Sequence, residues 1–185
     1  MRTFLVRGVT SSLSVITATL LCSSAEAATF ILGAGNQGWF NQNGLTNERV
    51  DGIDTGNTFT GNFFGNTPSP GNGEYRSFFV FDVSGLSSPI ESGSLSLFQD
   101  VYYSSSSTEE ITLFGVNSTQ EALDTEFSGP ANIPVFEDLG DGPIYGQQAI
   151  SAEPTTQNAG TLVQEFVTIA LTQGARHPLM VEKIS

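Results

Sequence analysis

Residues 75–83 read YRSFFVFDV, a strongly apolar run in an otherwise polar, glycine-rich chain. Every second residue from position 75 is apolar except Ser77, and Phe78 and Val80 make the middle of the opposite face apolar as well. Successive side chains of a strand point to opposite faces, so a strand that is apolar on both faces is buried on both. This stretch therefore predicts a central strand between two layers.

Other short runs extend the same pattern along the chain. Residues 94–97 alternate as SLSL, which predicts a half-exposed strand with its leucines inward. Residues 162–171 fit a helix or a strand, and their β-branched side chains favour the strand. Residues 121–125 predict one helical turn. Further strands are predicted at residues 29–32, 58–64 and 111–116, and Gly, Asn, Ser and Pro separate the runs, as is typical of an all-β sandwich or barrel.

The negative net charge and the presence of only one Cys and one His exclude several classes of function. The 185 residues include 6 Lys+Arg and 19 Asp+Glu, for a net charge of −13. A length of this order suits one domain. Nucleic acid is not expected as a partner, because phosphate binding needs clustered basic residues. One Cys cannot form a disulfide framework or a thiolate zinc site, and one His removes most His-based catalysis.

The first 27 residues read as a secretory signal peptide. Arg2 and Arg7 supply the positive start, residues 13–22 are a short apolar centre, and Ala25 and Ala27 occupy the positions that a signal peptidase reads. The apolar centre is too short for a bilayer span, and no later segment is apolar enough to be one. We expect cleavage near Ala27 and a secreted or periplasmic protein. Four basic and 18 acidic residues then remain, a net charge of −14.

Two neighbouring segments resemble secreted bacterial β-proteins. Residues 76–86 (RSFFVFDVSGL) followed by residues 90–98 (IESGSLSLF) resemble the paired strands of DNRLRE-type jelly-roll modules. The chain from residue 28 to about residue 160 looks still more like a group of cyanobacterial secreted proteins, in which a segment similar to residues 136–146 (FEDLGDGPIYG) follows. The resemblance implies a single antiparallel jelly-roll β-sandwich over residues 28–171. Most carriers of the pattern have no assigned activity, and some jelly-roll relatives bind polysaccharides.

Residues 172–185 depart from that group. The resemblance implies a short helix and a final glycine-rich apolar strand, whereas this segment holds Arg176 and Lys183, half of the basic residues that follow the signal peptide. We therefore expect a divergent C-terminal tail. If the final strand is missing, a sheet edge is left open, which would permit self-association.

The amphipathic aromatic residues are the candidate ligand-binding groups. Trp39 lies among Asn and Gln residues, and Tyr102 and Tyr103 precede the serine run of residues 104–107. Rings of this kind stack on sugars while neighbouring amides and carboxylates supply hydrogen bonds. The alternative is that the three rings fill or border the hydrophobic core. A neutral polysaccharide is the favoured ligand class, because the negative charge repels anionic polymers.

Oxygen-rich loops provide a candidate calcium site but no required cofactor. Asp51, Asp54 and Asn57 lie in one glycine-rich loop, and Ca²⁺ accepts carboxylate and amide oxygens. Their spacing does not match the EF-hand, so an ordinary polar turn is the favoured alternative. Glu137, Asp138 and Asp141 form a second cluster of the same kind.

The chain offers no organised catalytic group, so we expect a non-enzymatic protein. His177 lies beside Pro178 in the divergent tail, and no Gly-x-Ser-x-Gly elbow is present. Arg76 and Asp82 flank the central strand, and we expect them to make turn and strand-end hydrogen bonds. The predicted function is an exported protein of the cell surface or extracellular matrix that binds neutral glycans weakly. The alternatives are a polysaccharide-active enzyme with paired carboxylates and an inert structural or self-associating protein.

Overall fold

A computed structural model describes residues 16–19, 29–46, 58–63, 72–85, 92–125, 127–152, 161–172 and 179–184. The loop that holds Asp51, Asp54 and Asn57 lies outside the described residues, as does most of the predicted signal peptide. The calcium prediction therefore stays a prediction.

The described residues form ten strands and two short helices. The strands are β1 (Ile16–Thr19), β2 (Thr29–Leu32), β3 (Asn36–Asn41), β4 (Gly61–Phe63), β5 (Gly73–Val80), β6 (Gly93–Tyr102), β7 (Thr108–Gly115), β8 (Ile144–Ser151), β9 (Thr161–Leu171) and β10 (Leu179–Ile184). The helices are α1 (Gln120–Leu123) and α2 (Ile133–Asp138), with a 3-10 turn at Pro130–Asn132 before α2.

All the strand pairs are antiparallel, and they form one large sheet and two strand pairs. The large sheet has the order β3-β5-β10-β7-β8, with β4 also paired to β5. Strand β6 pairs with β9, and β1 pairs with β2. The expectation of an all-β antiparallel fold is confirmed at this level.

Strand β5 is an interior strand of the large sheet, paired along both edges and buried on both faces, as its sequence predicts. Strand β3 pairs along one of its edges, and β4 and β10 share the other, β4 opposite residues 73–75 and β10 opposite residues 77–80. Phe79 packs into a core shared with β6, β7, β8 and β9, whereas Phe78 and Val80 pack on the opposite face against the helical segment. The first core consists of Phe79, Phe81, Leu95, Leu97, Tyr102, Ile111, Leu113, Tyr145, Ile150 and Ile169.

The helical segment covers the second face of the sheet. Leu123 of α1, Phe136 of α2 and Leu139 pack against Phe40 and Phe78. Helix α1 is the turn expected near residues 121–125, and Thr119 caps it by accepting a hydrogen bond from the Ala122 N–H at 3.3 Å. Helix α2 is not anticipated from the sequence pattern.

A final strand is present in the described part of the C-terminal tail, so the condition under which we expected an open sheet edge is not met. Residues 179–184 form a strand that pairs with β5 on one side and β7 on the other. Two of its register pairs are Val181 with Phe78 and Lys183 with Thr112. The final strand therefore lies inside the sheet, where its backbone joins the β5 half to the β7 half.

Candidate functional site

Trp39 lies on β3, the strand at one end of the large sheet in the part of the chain described. Its ring is half-buried and meets Tyr75 edge to face, with ring centroids 5.2 Å apart. Tyr75 in turn contacts Phe59 at 4.6 Å, and Phe59 contacts Phe63 at 5.8 Å. We call these four residues the aromatic row. Tyr75 contacts Trp39 directly and is itself backed by Phe59, and Trp39 keeps part of its surface exposed to solvent.

The polar residues near Trp39 in sequence separate into two groups in space. Asn36 and Asn41 are buried. The Asn36 amide donates to the Asp124 carboxylate, and Asn41 Oδ1 accepts from two backbone N–H groups of the following turn. Gln37 is half-buried on the same face of β3 as Trp39, and Gln42 is exposed. Gln37 is therefore the amide with exposed surface on the same face of β3 as Trp39, whereas Gln42 Oε1 accepts a hydrogen bond from the Glu74 N–H at 3.2 Å.

The backbone that carries Trp39 is tied to a second loop. Thr46 Oγ1 donates to the Trp39 carbonyl at 2.9 Å, and the Thr46 N–H donates to Ser128 Oγ at 3.1 Å. Gly44, at φ 80°, accepts hydrogen bonds on its carbonyl from the Gly129 N–H and the Asn132 amide. The edge strand is thus held in place before any ligand arrives, which lowers the entropy cost of binding.

Tyr102 does not belong to a binding surface, and its assignment to one is wrong. Its ring is 0% exposed within the first core, and its hydroxyl donates to the Ser106 carbonyl at 2.8 Å. The pairing of β6 with β9 is irregular between Gln99 and Val101, where β9 carries one extra residue and Gln164 has φ 53°. Just beyond this point Tyr102 lies in the same core as Leu97. Tyr103 lies just beyond the end of β6 and is half-buried, so it keeps some exposed surface.

The acidic cluster near the end of α2 is engaged in backbone hydrogen bonds. The Asp138 carboxylate accepts from the N–H groups of Asn117 and Ser118, at 2.9 and 2.6 Å, and from the Asn117 amide at 3.1 Å. These donors occupy the oxygens that a cation would need. Within the described ranges no group of three or more His, Cys, Asp or Glu side chains could hold a metal ion.

The two charged residues that flank the central strand have structural roles, as expected. Asp82 Oδ1 accepts from the Ser84 N–H at 2.9 Å. The pKa of Asp82 is lowered, first by a side-chain hydrogen bond from Ser84 and then by this backbone bond. Arg76 donates to the carbonyls of Phe136 and Glu137 at the end of α2, at 2.8 and 3.2 Å. Both side chains make hydrogen bonds within the fold, and neither belongs to the aromatic row.

One exposed aromatic pair was missed from the sequence. Phe98 of β6 and Phe166 of β9 meet across the strand pair at 5.3 Å, and Phe166 is 59% exposed. The next cross-strand pair, Ser96 and Thr168, joins its hydroxyls at 3.1 Å. The alternation of SLSLF contains the signal, because it places Phe98 on the outward side with the serines.

The comparisons with known proteins add no identity. No family model, no curated protein and no solved structure matches the chain. Among the described residues no helix is long and apolar enough to cross a membrane.

Proposed function

We propose that the chain is an exported, non-catalytic protein of the cell surface or extracellular matrix that binds neutral glycans weakly through Trp39. Its layers are proposed to form a jelly-roll β-sandwich. The observation that carries the proposal is that Trp39 is only partly buried, at the end of the aromatic row, with Gln37 on the same face of β3. A fixed ring beside an accessible amide is the arrangement that stacks on a sugar and orients its hydroxyls.

The size of the site limits its affinity. One well-stacked ring contributes on the order of 1 kcal/mol, and one or two such contacts give binding in about the millimolar range. The net charge of −14 that remains after the proposed cleavage repels sulfated and phosphorylated polymers. Weak affinity for a neutral polymer is still useful at a cell surface, because many repeats of the polymer and many copies of the protein act together.

Tryptophan fluorescence tests the site directly, because Trp39 is the single tryptophan of the chain. Neutral oligosaccharides added to the pure protein should shift the emission of Trp39 in a saturable way. Emission that ignores every neutral oligosaccharide would remove Trp39 from the site.

Affinity electrophoresis in gels with neutral polysaccharides gives the second measurement. Trp39→Leu should abolish retardation, whereas the matched control Phe166→Leu, which removes an exposed ring elsewhere, should leave it unchanged. Circular dichroism confirms that both variants fold. Retardation that is lost in Phe166→Leu and kept in Trp39→Leu would move the site to the outer face of β6 and β9.

Two further measurements test the rest of the proposal. Mass spectrometry of the exported protein should show an N-terminus after Ala27, and a protein that retains Met1 in the cytoplasm contradicts export. Incubation of the pure protein with a glycan panel should release no new reducing ends. Hydrolysis that one carboxylate-to-amide change abolishes would replace this proposal with the enzymatic alternative.

A further inference from the structure

Tyr75 packs directly against the ring of Trp39, although it lies on the neighbouring strand. The two ring centroids are 5.2 Å apart, with an interplanar angle of 62°. The register of β3 and β5 places Tyr75 opposite Asn41, so Trp39 and Tyr75 are diagonal neighbours on one face of the sheet. Tyr75 is 0% exposed, whereas Trp39 keeps part of its surface in contact with solvent. A ligand that stacks on Trp39 therefore does not touch Tyr75.

Two buried side chains fix the ring of Tyr75 itself. Phe59, which is 9% exposed, meets the Tyr75 ring edge to face, with centroids 4.6 Å apart. The buried Asn41 side chain hydrogen-bonds with the Tyr75 hydroxyl. Asn41 is held in turn, because its Oδ1 accepts from the N–H groups of Asn43 and Leu45 at 3.0 and 2.8 Å. Ring packing and the turn that follows β3 therefore both restrict the conformation of Tyr75.

We propose that Tyr75 is a positioning residue of the glycan site: it holds the Trp39 ring in the orientation that stacks on a sugar, and it thereby sets the affinity without touching the ligand. The inference rests on the proposed function, since it concerns the same site. Edge-to-face ring pairs have a preferred geometry, so Tyr75 restricts the tilt of the indole as well as its position. A side chain that is ordered before the ligand arrives does not lose that freedom on binding.

The expected loss of affinity follows from this ordering. Without the Tyr75 ring, the ligand itself would have to order Trp39, and the ordering of one such side chain corresponds to about a two- to tenfold change in affinity. Tyr75→Leu keeps an apolar side chain at this position and removes the ring. Tyr75→Phe keeps the ring and removes the hydroxyl, so it should bind almost as well as the unchanged chain, because Phe59 still backs the ring.

Two measurements on the single tryptophan separate positioning from general stability. NMR titration of the Trp39 indole N–H signal with a panel of neutral gluco-, manno- and galacto-oligosaccharides gives the affinity, and near-ultraviolet circular dichroism shows whether the ring is fixed. Tyr75→Leu should weaken binding about two- to tenfold and reduce the tryptophan bands, while the far-ultraviolet spectrum stays that of a folded chain. The matched control Tyr145→Leu changes a residue that is 2% exposed on β8, at the other end of the large sheet, and should alter neither.

Phe59→Leu is the second variant, and it decides the question if Tyr75→Leu does not fold. It removes the ring behind Tyr75, so it should weaken binding in the same direction by a smaller factor. Full affinity in a folded Tyr75→Leu chain, or full affinity in Phe59→Leu where Tyr75→Leu does not fold, would overturn this proposal and leave the glycan site standing. Equal losses in Tyr75→Leu and Tyr145→Leu would do the same. An unchanged chain that binds no member of the panel would overturn the proposed function and this inference together.

Discussion

Replacement of Arg76 by Met should lower the free energy of unfolding more than its position near a strand end suggests. The guanidinium is 11% exposed and joins β5 to α2. It donates to the carbonyls of Phe136 and Glu137, at 2.8 and 3.2 Å, and lies 4.0 Å from the centroid of the Phe136 ring. It also makes an ion pair with Glu74 at 2.8 Å. One side chain thus caps the end of α2 and holds the helix against the sheet.

The contacts of Arg76 give the expected magnitude. Charged hydrogen bonds to the two helix carbonyls contribute about 2 kcal/mol, reduced from the sum of two because one carbonyl is exposed to water. The contact with the Phe136 ring adds about 0.5–1 kcal/mol. The ion pair adds little, because Glu74 is partly exposed and solvent screens the pair. Arg76→Met, which keeps most of the side-chain volume, should therefore cost about 2–3 kcal/mol.

Urea unfolding followed by circular dichroism measures this loss. With a slope of about 2 kcal/mol per molar urea, the midpoint should fall by about 1–1.5 M. The matched variant Glu74→Gln, which removes only the ion pair, should lower the midpoint by far less. Arg76→Lys should lie between the two, because an ammonium keeps the charge and loses the planar fork. Equal effects of Arg76→Met and Glu74→Gln would show that the helix carbonyls and the ring contribute nothing.

Three further predictions follow from individual contacts. Gly44→Ala should lower the thermal unfolding midpoint, because position 44 has φ 80° and a Cβ there would clash with the Gly129 carbonyl. Differential scanning calorimetry measures this, and an unchanged midpoint would show that residue 44 does not have this conformation and contact. Asp138→Asn should cost about 1–3 kcal/mol in urea unfolding, because an amide cannot accept all three N–H donors. Burial raises the pKa of Tyr75 and Tyr145 above 10.0, so the unfolded chain loses these protons first and the free energy of unfolding should fall as pH rises above about 10. An ultraviolet absorbance titration in which every tyrosine ionises near pH 10 while circular dichroism shows a folded chain would contradict this.

Strands with strong hydrophobic alternation are predictable from the sequence. Strands that depend mainly on hydrogen bonds to a neighbouring strand are not. Strand β2 is found at the predicted residues 29–32, and the ambiguous run near the C-terminus is a strand, β9. Strand β3 (NQGWFN) was missed because Asn and Gly have low strand propensity. Strand β3 forms because its backbone pairs with β5, and its own side chains do not indicate this pairing. Strand β10 was not predicted for a different reason. The resemblance implies a glycine-rich apolar final strand, and residues 179–184 do not have that composition.

The candidate site was predictable only in part, because burial depends on a local irregularity. Tyr102 and Tyr103 are equivalent in composition, yet Tyr102 is in the core and Tyr103 is half-buried. From Leu97, strict alternation would place Tyr103 inward and Tyr102 outward. The structure departs from this alternation beside the irregular pairing between Gln99 and Val101, where the extra residue belongs to β9, far from Tyr102 in sequence. Trp39 keeps part of its surface exposed, and the aromatic row behind it comes from residues far along the chain that its sequence neighbours do not indicate.

The proposed cleavage after Ala27 separates two strands that pair in the full chain. The positions of the buried core residues show which packing would remain after cleavage. The cut lies between β1 and β2, whose pairing runs from Ile16 opposite Leu32 to Thr19 opposite Thr29. The fully buried residues of both cores come from residue 40 onwards. Leu32 and Ala34 pack at the margin of the first core and stay with the exported chain. Removal of β1 would take away its four backbone pairs with β2 and also its contact with β6. The fully buried residues of both cores and the aromatic row all lie after the cut. In the proposed mature protein, β2 is therefore the strand that loses its described partner and whose edge must be protected.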